Sequence, residues 1–217
     1  MKTKIKLAVA VSFFVASSAW AMVDRVSISN FDKQNLKGWQ QKSFAGKTNY
    51  QITEENGRKV LVADSMATAS GLGKKIKVDL KKTPYINWSW KIDNTLDGLD
   101  ETTKAGDDYV ARLYVVKSGG PLLWKTKALN YVWSSNQSQE QIWRNAFQPK
   151  NAIMLAVRGN KDQPGQWVTE KRNVLEDFKK AFGKDIDKID AIAIMTDTDN
   201  SKREASATYG EIYFTAD

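Results

Sequence analysis

Residues 86–93 of the chain read Ile-Asn-Trp-Ser-Trp-Lys-Ile-Asp, with apolar and polar side chains in strict alternation. Successive side chains of a β-strand point to opposite faces, so this rhythm predicts a strand with one apolar face and one polar face. Ile86, Trp88, Trp90 and Ile92 form the apolar face. A strand of this kind covers a core on one side only.

Residues 108–116 repeat the pattern. The apolar face of this predicted strand carries Tyr109, Ala111, Leu113 and Val115, and its other face carries Asp108, Arg112 and Tyr114. The second strand therefore also has one face for a core and one face that is charged and polar.

The same alternation extends over most of the chain. Further strands are predicted at 50–53, 59–63, 73–79, 128–134, 152–158, 166–171, 190–195 and 207–214. One helix is predicted at 173–182, where Asn173 and Glu176 form a capping pair and Gly183 follows the last turn. Many short strands separated by turn residues indicate an all-β fold, and we expect a jelly-roll β-sandwich with this single helix.

The first 21 residues are typical of a removable export signal. A lysine-rich start precedes the apolar run at 7–16, and Ala19-Trp20-Ala21 supplies the small residues of a cleavage site. We expect residues 22–217 to form a single β-sandwich domain in the bacterial periplasm, with secretion as the second choice. No later segment is apolar for long enough to predict stable membrane insertion.

The amino-acid composition excludes several kinds of functional site. Cysteine and histidine are both absent from the chain, which excludes disulfides, thiolate nucleophiles, Ser-His-Asp triads and His- or Cys-based zinc sites. Loss of the three lysines in the signal lowers the net charge from +8 to +5. This scattered excess does not predict nucleic acid as a partner, and the oligomeric state stays open.

Tryptophans are the first candidates for ligand contact, because an indole face stacks on the C–H face of a sugar. Isoleucines flank Trp88 and Trp90, which favours core packing for both. Trp124, Trp133 and Trp143 lie in or beside polar, loop-like sequence, where binding and packing are equally consistent with the pattern. Trp90 and Trp133 are the two that we include in a candidate binding face.

Charged residues within strand-like sequence are the second candidates. Asp108, Arg112 and Tyr114 share a strand face, and Arg172 lies on a later segment. Such a face is usually only solvated, but guanidinium donors and carboxylate acceptors on a concave sheet also suit a polyhydroxylated or acidic ligand. The hypothesis is a binding face of Trp90, Asp108, Arg112, Tyr114, Trp133 and Arg172.

Asp197-Thr198-Asp199-Asn200 follows a buried-looking strand, and closely spaced oxygen ligands suit Ca²⁺. Lys202 occupies the place of the glycine that a helical calcium loop requires. An Asx-turn explains the same residues, so Ca²⁺ at Asp197 and Asp199 is the less favoured alternative, and no cofactor is otherwise expected.

Catalysis without histidine or cysteine would rely on carboxylates, as in glycoside hydrolysis. Asp107, Asp108, Glu170 and Asp197 are the candidates, but the sequence contains no spacing that pairs them. Neighbouring acids such as Asp107 and Asp108 point to opposite sides of a strand. No catalytic residue is assigned.

Several segments together resemble a known family. They are Phe31-Asp32 with Gly38-Trp39, residues 83–91, residues 106–114, residues 129–134, Glu170-Lys171-Arg172-Asn173, residues 196–200 and Tyr209-Gly210-Glu211-Ile212. The combination is similar to a bacterial exported family known as a domain of unknown function, number three-zero-four-seven. The order of elements also resembles galactose-binding-type jelly rolls and carbohydrate-binding modules, which implies a concave glycan-binding face and often a structural calcium.

Three hypotheses follow. The leading one is a non-catalytic periplasmic β-sandwich that binds a glycan or a similar polar ligand. The alternatives are a carboxylate-dependent, glycan-active hydrolase and an envelope scaffold that works through an exposed apolar patch.

Overall fold

The computed structural model describes residues 25–33 and 35–217, so the predicted signal at 1–21 lies outside the described residues. The described residues form fourteen strands in two sheets. In chain order the strands are β1 (Arg25–Ser27), β2 (Trp39–Ala45), β3 (Asn49–Glu55), β4 (Arg58–Met66), β5 (Ala69–Asp79), β6 (Tyr85–Ile92), β7 (Tyr109–Lys117), β8 (Lys127–Trp133), β9 (Ile142–Arg144), β10 (Ala152–Arg158), β11 (Val168–Asn173), β12 (Lys188–Asp197), β13 (Glu204–Tyr209) and β14 (Tyr213–Thr215).

The two sheets are joined as a jelly roll. The first sheet runs β1-β14-β6-β13-β4-β3, with β11 on the other edge of β6, and the second runs β2-β5-β12-β7-β8-β10-β9. Strands β4 and β5, β6 and β7, and β12 and β13 are consecutive in the chain but lie in opposite sheets. The chain therefore wraps around a common core, which confirms the predicted jelly-roll β-sandwich.

Pairing is antiparallel throughout the described sheets except between β8 and β10, which run parallel. A parallel pair cannot be closed by a tight turn and needs a crossover. Here the crossover is the segment 134–151. It contains β9, which pairs antiparallel with β10 and forms the edge of the sheet, and it then leads into β10 itself. The connection between β8 and β10 therefore contains a short strand of its own.

Aromatic side chains fill the space between the sheets. Trp88 of β6 stacks on Tyr131 of β8 with ring centroids 5.2 Å apart, and Trp90 lies 5.9 Å from Trp133. All four side chains are buried. Trp90 also donates its indole N–H to Glu170 at 3.2 Å. The apolar face predicted for residues 86–93 thus meets Ala111, Leu113 and Val115 of β7 in one core. Tyr109, predicted on the same face as these three, packs instead in a separate cluster with Trp143, because the register shifts near the start of β7, so that part of the prediction is wrong.

The helix α1 (Val174–Phe182) matches the prediction closely. Asn173 Oδ1 accepts hydrogen bonds from the backbone N–H groups of Leu175 and Glu176, and Gly183 ends the helix with a φ of 66°. Phe178 is buried against the core. The described residues contain no helix that is both long and apolar enough to cross a bilayer.

The segment predicted as one strand at 207–214 is divided in two, so that prediction is wrong in detail. Its residues belong to β13 and β14, which pair with the same edge of β6 on either side of Gly210. A Cβ at Gly210 would lie 2.1 Å from Ser89 Oγ. A side chain at this position would therefore collide with the Ser89 hydroxyl, and the Gly210 backbone N–H donates to the Ser89 carbonyl at 2.8 Å between the two strands.

Replacing a core tryptophan tests this account of the core. Trp90→Ala removes a fully buried side chain, and we expect it to lower the free energy of unfolding by about 3–5 kcal/mol. Trp124→Ala is the matched control because that side chain is exposed, and its effect should stay within about 0.5 kcal/mol. Urea unfolding measures both; equal losses would contradict the assignment.

Candidate functional site

A cleft of about 630 Å³ opens on the outer face of the second sheet. Side chains that alternate away from the core form its floor: Arg112 and Tyr114 of β7, Asn130 of β8 and Met195 of β12. Their neighbours Leu113, Tyr131 and Ile194 point into the core. The strand alternation that builds the core therefore also builds the floor of the cleft.

Two exposed aromatic rings border the cleft. Phe44 of β2 is 63% exposed, and Phe147 of the crossover is 47% exposed. Asn145 holds Phe147 in place, because its Oδ1 accepts from the backbone N–H groups of Phe147 and Gln148 at 3.1 and 2.9 Å. The rim is thus apolar, whereas the floor is polar.

The crossover covers part of the same sheet face. Trp143 of β9 stacks on Tyr109 with ring centroids 6.4 Å apart, and both contact a small apolar cluster with Val132, Met154 and Ala156. This second layer covers the face beside the cleft and leaves the cleft itself open.

Arg112 is the buried cation of the floor. Its Nε donates to Asp197 Oδ1 at 3.1 Å, its Nη2 also donates to Asp197, and its Nη1 lies 3.9 Å from Asp107 Oδ2. The guanidinium carbon is 4.5 Å from the ring centroid of Tyr109 and 5.7 Å from that of Tyr114. The charge of Arg112 is therefore neutralised within the protein.

The cleft is lined by more carboxyl groups than guanidinium groups. Burial raises the pKa of Asp107 and of Asp197, against the opposing effect of the Arg112 guanidinium. Burial and the neighbouring Asp108 also raise the pKa of Asp199. Three carboxyl groups thus line the cleft beside one guanidinium, so the floor carries no surplus of positive charge for an anion.

Three carboxyl groups, on Asp108, Asp197 and Asp199, have oxygens within 4.8 Å of one another. The structure adds Asp108 to the pair considered for Ca²⁺. Asp108 accepts from the backbone N–H groups of Asn200 and Ser201 at 3.1 and 2.6 Å, and Asp197 is held by Arg112. A cation here would compete with these donors, so Ca²⁺ binding stays a prediction.

Asn130 adds an unusual polar group to the floor. Its Nδ2 donates to the backbone carbonyls of Ile153 and Ala128 at 3.1 and 3.3 Å. This orientation leaves Oδ1 as a buried acceptor with no hydrogen-bond partner among the described residues. A buried amide oxygen without a partner costs stability, so a donor supplied beside it would be stabilised.

The structure brings together only part of the predicted binding face. Arg112 and Tyr114 line the cleft, and Asp108 lies behind it under Asn200. Trp90 and Trp133 are sealed in the core, so their predicted role as ligand contacts is wrong and packing explains both.

Arg172 also lies apart from the cleft. It donates to Asp177 of α1 at 2.8 and 2.9 Å and to Glu140 at 2.7 Å. These bonds tie β11 to the helix and the crossover, so its predicted ligand role is replaced by a structural one.

Sequence reasoning missed several residues that shape the cleft. Phe44 and Phe147 carried no signal, because a single phenylalanine in polar sequence does not reveal which surface it joins. Asn130 was hidden within a predicted strand, although its alternation with Leu129 and Tyr131 places it on the outer face.

The fold is a jelly-roll β-sandwich similar to carbohydrate-binding modules. A family model described as "Protein of unknown function (DUF3047)" matches residues 37–213, and the chain belongs to this family. No curated protein matches the sequence.

Solved structures with a similar arrangement share little sequence with the chain. The Family 11 carbohydrate-binding module from Clostridium thermocellum, in complex with a beta-1,3-1,4-mixed-linked tetrasaccharide, is 11% identical with a TM-score of 0.48, over 90% of this chain and 96% of that one. A family 30 carbohydrate-binding module of a Clostridium thermocellum cellulosomal cellulase is 11% identical with a TM-score of 0.49, over 83% and 92%. These are likenesses of fold alone.

Removing Arg112 tests whether the floor depends on its charge balance. Arg112→Met leaves Asp197 buried without its partner, and we expect a loss of about 3–5 kcal/mol in stability near pH 8. The loss should shrink at pH 5, because a carboxyl with a raised native pKa binds more protons when folded, so its protonated form stabilises the native chain and this contribution fades as pH rises.

The double variant Arg112→Met/Asp197→Asn serves as the control. It removes the unpaired charge, so its stability should exceed that of the single variant at pH 8 and should vary less with pH. Thermal unfolding at both pH values gives the comparison. A pH-independent loss shared by both variants would show that packing, rather than charge, is what Arg112 supplies.

Proposed function

We propose that the chain is a non-catalytic periplasmic binding protein whose cleft holds a neutral, polyhydroxylated ligand of the glycan class. The proposal rests on one observation: the cleft has a polar floor, and the exposed aromatic rings of Phe44 and Phe147 lie at its rim. A sugar ring has both kinds of surface: apolar C–H faces that pack on aromatic rings, and hydroxyls that hydrogen-bond in the plane.

The polar groups of the floor favour hydroxyls over acids. Both Nε and Nη2 of Arg112 are occupied by Asp197. Asp107, Asp197 and Asp199 present carboxyl oxygens that accept hydrogen bonds. An anionic ligand on the floor would meet these oxygens, and the Arg112 guanidinium that could balance it is already bound by Asp197, whereas a hydroxyl can donate to them. The acidic ligands considered from sequence are therefore disfavoured.

Binding to neutral oligosaccharides tests the proposal. No tryptophan lines the cleft within the part of the chain that the structure describes, so calorimetry is a better probe than intrinsic fluorescence. We expect saturable binding of a neutral glucan or mannan oligosaccharide and weaker binding of uronic-acid oligomers. Phe44→Ala and Phe147→Ala should each weaken binding about two- to tenfold, since an aromatic contact contributes about 0.5–1.5 kcal/mol.

Met66→Ala is the matched control, because Met66 is an exposed apolar side chain outside the cleft lining. It should bind as the parent protein does, and all three variants should keep the parent melting temperature. An unchanged oligosaccharide affinity in both Phe44→Ala and Phe147→Ala would contradict the proposal. So would heat release with uronic-acid oligomers alone.

A hydrolase is the second candidate, favoured by one observation. The oxygens of Asp108, Asp197 and Asp199 lie within 4.8 Å of one another, and glycoside hydrolysis without histidine or cysteine requires two carboxyl groups close together. Asp199 lines the cleft and has no ion-pair partner among the described residues. New reducing ends during the binding experiment, abolished by Asp199→Asn, would favour this function.

The periplasmic location rests on the N-terminal sequence. A lysine-rich start, the apolar run at 7–16 and Ala19-Trp20-Ala21 support export with removal of the first 21 residues. Mass spectrometry of the protein released by osmotic shock should find Met22 as the first residue. Recovery of the full-length chain in the cytosolic fraction would contradict export.

A further inference from the structure

The loop between β7 and β8 displays three consecutive apolar side chains to solvent. Leu122, Leu123 and Trp124 are 37%, 74% and 67% exposed. They are half of the large hydrophobic side chains that are exposed within the described residues, and they lie on one short 3₁₀ turn, Leu123–Lys125, and the residue before it. We call these three residues the apolar tip.

The loop that carries the apolar tip is tightly built. The backbone N–H groups of Leu122, Lys125 and Thr126 each donate within the loop, at 3.1, 2.8 and 3.0 Å. Gly119 packs so closely that a Cβ there would lie 2.2 Å from the Leu122 carbonyl oxygen. These contacts fix the backbone of the loop, so little backbone entropy is lost when the tip binds.

Lysines lie beside Trp124 of the apolar tip. Lys125, Lys127 and Lys184 line a shallow pocket of about 400 Å³ beside Trp124, and none of the three has an acidic partner among the described residues. The acids nearby are already engaged, since Asp185 pairs with Lys179 at 3.2 Å and Lys117 is shared by Asp187 and Asp190. The surface around the tip is positively charged.

We propose that the apolar tip and its lysines dock the protein on a bilayer that contains anionic phospholipid. Leucine and tryptophan side chains transfer favourably into the boundary between headgroups and acyl chains, and lysines just above that depth attract anionic headgroups. Each lysine near such a surface strengthens binding about fivefold, and burial of one leucine strengthens it about tenfold or more.

The small size of the surface argues against a protein partner. Stable protein interfaces bury about 800 Å² on each partner, whereas the tip consists of three side chains on one turn. Bilayer docking needs only a few apolar side chains together with charge. Docking of this kind is reversible and differs from insertion of a spanning helix.

Vesicle sedimentation tests the proposal with the chain that begins at Met22, the form expected after removal of the export signal. We expect binding to vesicles of phosphatidylglycerol and phosphatidylcholine, at least tenfold weaker binding to phosphatidylcholine alone, and release by 0.5 M salt through screening of the lysines. Leu123→Asp should weaken binding at least tenfold, and Lys125→Ala about fivefold.

Met66→Asp is the matched control, because it places the same charge at another exposed apolar position and should bind as the parent protein does. All variants begin at Met22 as the parent protein does, so the apolar run at 7–16 contributes nothing to their binding. Equal binding by parent and Leu123→Asp would overturn the proposal. So would a Trp124→Ala variant that loses oligosaccharide binding but keeps vesicle binding, which would make the tip an extension of the cleft.

Discussion

The contact between aromatic side chains of β6 and β8 determines how the two sheets face each other. Trp88 on Tyr131 and Trp90 on Trp133 fill the gap between the sheets with large flat groups. This packing is strong enough to leave two indole N–H groups, those of Trp88 and Trp133, without partners in the described core. Burial of apolar area outweighs that cost, as it does in most cores. A shift of one residue in either strand would expel these rings and reverse both faces.

The cleft follows from the same alternation. With Tyr131 and Trp133 inward, the residues between them must face outward, and so must Arg112 and Tyr114 on the neighbouring strand. An arginine in the middle of a sheet face needs a buried counter-ion, which Asp197 supplies from the end of β12. The floor is consequently polar and tied together by charge-assisted hydrogen bonds, and it holds more carboxyl groups than guanidinium groups, which suits hydroxyl groups better than anionic ligands.

The sequence alone predicted those features that depend on neighbouring residues. The alternation at 86–93 and 108–116 located two central strands, and Asn173 with Gly183 located the helix. Features that depend on residues far apart in the chain were not predictable. Whether Trp90 faces a ligand or a second sheet depends on Trp133, more than forty positions away, and the rim at Phe44 and Phe147 exists only because two distant segments border one face. The division of residues 207–214 likewise depends on distant residues, since both resulting strands pair with β6.

The parallel pairing of β8 and β10 has a consequence for how the family can diversify. Because that pairing requires a crossover, the segment 134–151 must pass over the outer face of the second sheet. It supplies Asn145 and Phe147 to the lining of the cleft. One wall of the cleft is therefore a by-product of topology and contributes little to the main core. Insertions, deletions or exchanged side chains there can remodel the recognised shape while the sandwich beneath is inherited unchanged, so relatives with the same scaffold are free to differ in what they hold.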